Sequence, residues 1–176
     1  SDQIEKYLPP AKGQKHTLRI LREILFHQNA SNKTDLNEGL RFLNQVTRRR
    51  AVVFLLSDFI IPEYDSEEES IKDLILKELS TTRRKHDLMC CQISDQIEYD
   101  MPKIGRISLE DSETHETIII NTSSKDFQSK YKSYMQSQNE SFAKSLKRRG
   151  IDHFKFSTTS DYSKELQEFF LKRRKR

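Results

Sequence analysis

Asp58 is the residue whose placement in this sequence points most directly to chemistry. It follows the apolar run Ala51-Val52-Val53-Phe54-Leu55-Leu56, within Ser57-Asp58-Phe59. In an open α/β sheet, ligands bind beyond the carboxyl ends of the strands. A carboxylate at that position can hold a hard cation, directly or through water. It can equally cap the turn after the strand, because an Asp side chain bonds readily to backbone two residues on. Thr34 stands just ahead of a predicted helix, where its hydroxyl has the same two readings, metal ligand or helix cap. A metal-dependent hydrolase would need a second carboxylate and a base at the same edge. Asp65 and Asp95 are the candidates for that second carboxylate.

Other chemistries find less support. The four basic clusters, Arg48-Arg49-Arg50, Arg83-Arg84-Lys85, Lys147-Arg148-Arg149 and Lys172 to Arg176, invite a nucleic-acid reading. Each ends a predicted helix, where exposed carbonyls and the helix dipole favour cations whatever the function. The first three also precede strands, which puts them at the amino edge of the sheet, opposite Asp58. The C-terminal run lacks the interleaved aromatics that stack on bases. His16, His27, His86, His115 and His153 are not spaced as metal ligands and read as surface or strand-edge residues. There is no phosphate-cradling Gly-rich loop among the 4 glycines, no Gly-x-Ser-x-Gly elbow and no paired-cysteine zinc motif.

The elements that must position Asp58 follow from periodicity. Leu18, Leu21 and Leu25, with Ile20 and Ile24, mark an amphipathic helix over residues 15–26, entered through Pro9, Pro10 and Gly13. Leu36, Leu40, Leu43 and Val46 mark a second, with Asp35 and Glu38 spaced to cap its start. The run 51–56, continuous in β-branched and aromatic residues, is a strand buried on both faces, as in a parallel sheet. A helix over 67–82, a buried strand over 87–93, and a hairpin of 104–109 with 117–121 come next. A long helix then carries Phe127, Tyr131, Tyr134, Phe142 and Leu146 until Gly150 stops it. A strand over 151–157 and a helix with Tyr162, Leu166, Phe169 and Phe170 finish the chain. This order predicts an α/β fold, a mostly parallel sheet with helices on both faces and an added hairpin.

Composition sets the outer bounds. A chain of 176 residues makes one ordinary domain, here residues 1–176, with a sizeable core. Lys and Arg number 31 against 27 Asp and Glu, an excess too small and too interspersed to require an anionic partner. No stretch is long and apolar enough to span a bilayer. Cys90 and Cys91 are adjacent within an apolar run, so they point to opposite faces of a strand and read as reduced core residues. That suits a cytoplasmic protein. The opening residues, Ser1 to Pro10, read like the tail of a strand entering a turn, as in a piece of a longer protein.

Several of these pieces together resemble a known family. Lys33-Thr34-Asp35-Leu36, Val53 to Phe59, Arg84-Lys85-His86-Asp87-Leu88, Tyr7-Leu8-Pro9-Pro10 and Leu18 to Glu23 carry the likeness. Pro102-Lys103-Ile104-Gly105, Leu109 to Thr114, Asn121-Thr122-Ser123 and Gly150 to His153 extend it over the whole chain. The chain looks like a bacterial family of unknown function with a von Willebrand factor A-like domain, encoded beside MoxR-type AAA+ ATPases. The resemblance implies a three-layer, Rossmann-like sheet with a divalent cation, Mg2+ or Mn2+, at its top. Thr34 matches the second part of that metal-ion-dependent adhesion site and Asp58 the third. The first part, Asp-x-Ser-x-Ser, is absent, and Asp161-Tyr162-Ser163-Lys164-Glu165 comes nearest without matching. By the same resemblance the domain is incomplete at its N-terminus and lacks the central strand, which leaves the edge of the strand 51–56 open, to be covered by a second copy of the chain or by rearranged N-terminal residues.

The function expected is therefore a non-enzymatic protein-interaction module. Its partner by resemblance is a MoxR-type AAA+ ATPase or a client, in a chaperone or assembly role that depends on metal in the intact protein. This chain alone is expected to hold no cofactor. The alternative is nucleic-acid binding through the basic helix ends and the C-terminal tail, which predicts affinity that falls steeply with salt.

Overall fold

A computed structural model describes residues 4–27, 35–60, 71–95, 100–110, 117–159 and 161–174. The chain divides into two compact units, Ser1–Arg49 and Arg50–Arg176.

The first unit holds α1 (Gln14–Phe26) and α2 (Leu36–Val46). Asp35 caps α2, its Oδ1 accepting from the backbone N–H of Asn37 at 2.8 Å and of Glu38 at 3.2 Å. Those are two of the donors that a helix start leaves without partners. Leu40 is the buried residue of α2, and Tyr7 packs edge-on against Phe42 with ring centroids 5.4 Å apart. The apolar stripe of α1 stays exposed at Leu18, Leu21, Ile24 and Leu25.

The second unit is built on a parallel sheet in the order β1-β2-β5, from β1 (Val52–Ser57), β2 (Asp87–Ser94) and β5 (Asp152–Ser157). β1 runs beside β2 with Val52 opposite Asp87 and Ser57 opposite Gln92. β2 runs beside β5 with Met89 opposite Asp152 and Ser94 opposite Ser157. The helices are α3 (Ile71–Lys85), α4 (Lys125–Arg148) and α5 (Tyr162–Arg174). A separate antiparallel pair, β3 (Arg106–Glu110) and β4 (Thr117–Asn121), forms the expected hairpin. Thr122 fastens it, accepting from the Ile104 N–H and donating to the Gly105 carbonyl.

Successive strand residues point to opposite faces, and the two faces of the sheet are covered differently. On one lie α4 and, bonded to it through Lys72, α3: the Lys72 ammonium donates to Gln138 Oε1 and Ser141 Oγ. Leu79, Leu88, Cys90 and Leu146 are wholly buried, and burying a leucine side chain contributes about 2 kcal/mol. On the other lies α5, whose Phe169 stacks on Phe154 at 4.2 Å and whose Phe170 meets Phe54 edge-on. Arg173 ties α5 to the amino ends of two strands, bonding to Asp87 and, at 3.1 Å, to Asp152. On this second face Val52 and Leu56 remain 59% and 60% exposed.

Candidate functional site

The carboxyl ends of β1, β2 and β5 carry a row of hydroxyls and carboxylates: Ser57-Asp58, Ser94-Asp95 and Ser157-Thr158-Thr159. Asp58 sits at the end of β1 and is exposed. Its Oδ1 accepts from the Ile60 N–H at 3.2 Å and from the Ser57 hydroxyl at 3.3 Å. The Ser57 hydroxyl in turn accepts from the Phe59 N–H at 3.0 Å. Asp58 is thus the turn cap that its position allowed. Its other oxygen, Oδ2, accepts from no group among the described residues.

Between these two polar anchors the backbone does something no sequence pattern announced. Phe59 has a φ of 54°, in the left-handed region that non-glycine side chains rarely enter. Packing compensates: its ring is 7% exposed and lies 5.0 Å from that of Phe142 on α4. Beneath this turn a small cavity of about 60 Å³ is lined by Phe59, Lys72, Met135, Asn139 and Phe142, among others.

Gln92 fixes the turn from below. This β2 side chain is 2% exposed, and its amide nitrogen donates to the Asp58 carbonyl at 3.1 Å and to Asn139 Oδ1 at 2.6 Å. Asn139 Nδ2 donates to the Met135 carbonyl at 2.7 Å. Backbone carbonyls only accept, so Asp58 and Met135 set the orientation of both amides. Gln92 Oε1 therefore accepts from His153 Nε2 at 3.2 Å, which places the ring proton on that nitrogen. Burial first, and the charge of Lys155 second, lower the His153 pKa from its ordinary 6.5. His153 was expected at a surface or strand edge. It is instead half-buried, because its side chain falls on the face of β5 that α4 covers. His86 is likewise buried, its Nδ1 accepting from the Ala51 N–H at 3.3 Å.

Thr34 and Asp65 lie outside the described residues. Asp95 Oδ2 accepts from the Thr158 hydroxyl at 3.1 Å, which joins the ends of β2 and β5. A hard cation takes six or more oxygens, and at the end of β1 the described residues present one carboxylate and the hydroxyl of Ser57. Among the described residues, no group of three His, Cys, Asp or Glu is placed to hold a metal. These donors do not complete a cation site. Cys90 and Cys91 are free and buried. Burial, with the neighbouring Cys91, pushes the Cys90 thiol up to about 12. Burial alone takes Cys91 to about 11.

A family model described as protein of unknown function DUF58 matches residues 1–141. The chain belongs to this family. The DUF58 match includes Asp58, Gln92 and Asn139, while Phe142, His153, β5 and α5 lie beyond it. No curated protein and no solved structure matches the chain. Among the described residues, no helix is long and apolar enough to cross a membrane.

Proposed function

We propose that this DUF58 chain is a non-enzymatic protein-interaction module with a von Willebrand factor A-like sheet. In this reading it works in the cytoplasm with a MoxR-type AAA+ ATPase, or with a client the ATPase remodels. The observation that carries the reading is Asp58, an exposed carboxylate on a turn fixed from several directions at the carboxyl end of a parallel strand. A preset anionic point favours recognition, because little conformational freedom is lost when a partner docks. A Mg2+ or Mn2+ ion shared by Thr34 and Asp58 belongs to this proposal only with oxygens supplied from outside the chain, by water and by an acidic side chain of the partner.

The test is binding of a purified MoxR-type ATPase to the immobilised chain, in Mg2+ and in EDTA, with Asp58→Ala alongside. The expected result is saturable binding that Asp58→Ala weakens by about tenfold or more. Loss in EDTA assigns the contact to a bridging cation, and persistence assigns it to Asp58 alone. Binding indifferent to Asp58→Ala, or no binding, removes the reading. A DNA duplex that binds with a steep salt dependence, unchanged by Asp58→Ala, would put the basic amino edge in its place.

A further inference from the structure

The charges of the second unit are not mixed evenly. Helices that connect parallel strands run back against them, so their C-terminal ends gather at the amino edge of the sheet, across from Asp58. α3 ends at Lys85, just before β2 opens at Asp87, and α4 ends at Arg148, just before β5 opens at Asp152. The two ends carry Arg83, Arg84 and Lys85 on α3, and Lys147, Arg148 and Arg149 on α4 and its cap. They meet: the Arg83 Nε–H donates to the Gly150 carbonyl at 3.0 Å, and Arg84 and Arg149 line one groove between the helices. Elsewhere on α4 the cations are answered by carboxylates, Lys130 by Asp126 at 2.8 Å and Lys144 by Glu140 at 3.3 Å. Among the described residues, none of the six at the helix ends forms an ion pair. Asp87 and Asp152, the nearest carboxylates in the chain, are both held by Arg173. The helix dipole accounts for a cation in each last turn. It does not account for six gathered without a carboxylate, because neighbouring like charges cost stability.

We propose that the groove between α3 and α4 docks an acidic segment of a protein partner. It has a volume of about 450 Å³ and is lined by Asp73, Lys77, Ser80, Thr81, Arg84 and Arg149. Both arginines are exposed, and each spends one terminal nitrogen within the chain, Arg84 on Thr81 Oγ1 at 3.3 Å and Arg149 on the Ser145 carbonyl at 3.1 Å. A guanidinium has five N–H donors, so each keeps donors for a carboxylate, its best-matched partner. The hydroxyls between them distinguish a peptide from a nucleic acid. The Ser80 hydroxyl donates to the Leu76 carbonyl at 2.7 Å, and that of Thr81 to the Lys77 carbonyl at 3.1 Å. With their protons spent, these oxygens present lone pairs, which call for an N–H from the ligand. A phosphate backbone has acceptors alone and leaves them unanswered. A peptide backbone brings N–H groups beside its acidic side chains. Asp73, about three turns up α3 from Arg84, repels a strand charged at every phosphate, and admits a peptide whose carboxylates stop at the arginines. This inference is independent of any ATPase or cation at Asp58.

Fluorescence anisotropy with the whole chain tests it, using a labelled peptide of alternating glutamate and glycine beside a short DNA duplex. Saturable peptide binding that weakens with added salt is expected. Arg84→Glu with Arg149→Glu weakens it by about tenfold or more, the loss of hydrogen bonds to a charged group. Lys130→Glu with Lys144→Glu makes the same change in net charge away from the groove and leaves the affinity within about twofold. All four of these side chains are exposed, so the fold is kept. Ser80→Ala weakens the peptide about fivefold, one neutral hydrogen bond, and leaves the duplex unchanged. Asp58→Ala alters neither. Three results overturn the proposal: no peptide binding, peptide binding that survives Arg84→Glu with Arg149→Glu, or a duplex that binds more tightly than the peptide and ignores Ser80→Ala. The last would assign the amino edge to nucleic acid.

Discussion

Replacing Gln92 by leucine tests whether the turn that carries Asp58 is held by the polar network beneath it. Leucine keeps the volume of the side chain and removes its three hydrogen bonds, to Asp58, Asn139 and His153. The Asp58 carbonyl belongs to an exposed residue and can turn to water. Asn139 Oδ1 and the His153 Nε2–H are part-buried, and an orphaned group of that kind costs about 1–3 kcal/mol. Taking about 1.5 kcal/mol for each gives a loss of about 3 kcal/mol. The better burial of leucine over an amide returns about 1 kcal/mol. Gln92→Leu should therefore cost about 2 kcal/mol, read from urea unfolding followed by circular dichroism. Adding His153→Phe removes one orphan, so the double variant should be more stable than the sum of the single losses by about 1 kcal/mol. A Gln92→Leu protein within about 0.5 kcal/mol of the wild type, or strict additivity with His153→Phe, would refute the argument.

Three further outcomes are expected. His153 has a folded-state pKa below its unfolded value of 6.5, so its contribution to stability is complete above that pH and is lost as the pH falls through the folded value. Urea midpoints between pH 8 and 5 should decline on the acid side, less steeply in His153→Phe. Cys90 and Cys91, with thiols raised to about 12 and about 11, are almost wholly protonated at neutral pH. A thiol reagent should label them slowly in the native protein and at once in urea; fast native labelling would contradict the burial. Leu79, at 0% exposure on α3, should lose about 2–5 kcal/mol on substitution by alanine, measurable in the same unfolding experiment.

Much of this architecture is legible in the sequence because periodicity and capping are local. The strands at 51–56, 87–93 and 151–157 appear at Val52–Ser57, Asp87–Ser94 and Asp152–Ser157, but the first, expected to be buried on both faces, leaves Val52, Phe54 and Leu56 exposed on one of them. The Asp35 cap is where the spacing put it, and Gly150 stops α4 with a φ of 66°. The third helix runs on to Lys85, past the expected end at 82, because Arg and Lys are good helix formers that also suit a final turn. Long-range features were not legible. Gln92 read as part of an apolar run, and nothing in its neighbours says that it meets Asn139 on a helix 47 residues away. The left-handed backbone at Phe59 is unreadable for the same reason, since a phenylalanine enters that region only when a distant ring, here Phe142, receives it. Asp58 was found by position, but whether its carboxylate serves the turn or a ligand depends on where Ile60 and Ser57 lie.

The hydrogen bonds beneath the Asp58 turn all run one way. His153 gives to Gln92, Gln92 gives to Asp58 and Asn139, and Asn139 gives to Met135. Because the line terminates on main-chain carbonyls, no amide in it can rotate by half a turn without leaving two oxygens or two N–H groups face to face. The network has one arrangement and no mirror image of it. A ligand arriving at Asp58 therefore meets a surface that does not switch between alternatives, and its encounter should show single-step kinetics, with an observed rate that rises linearly with ligand concentration and no slow isomerisation after it.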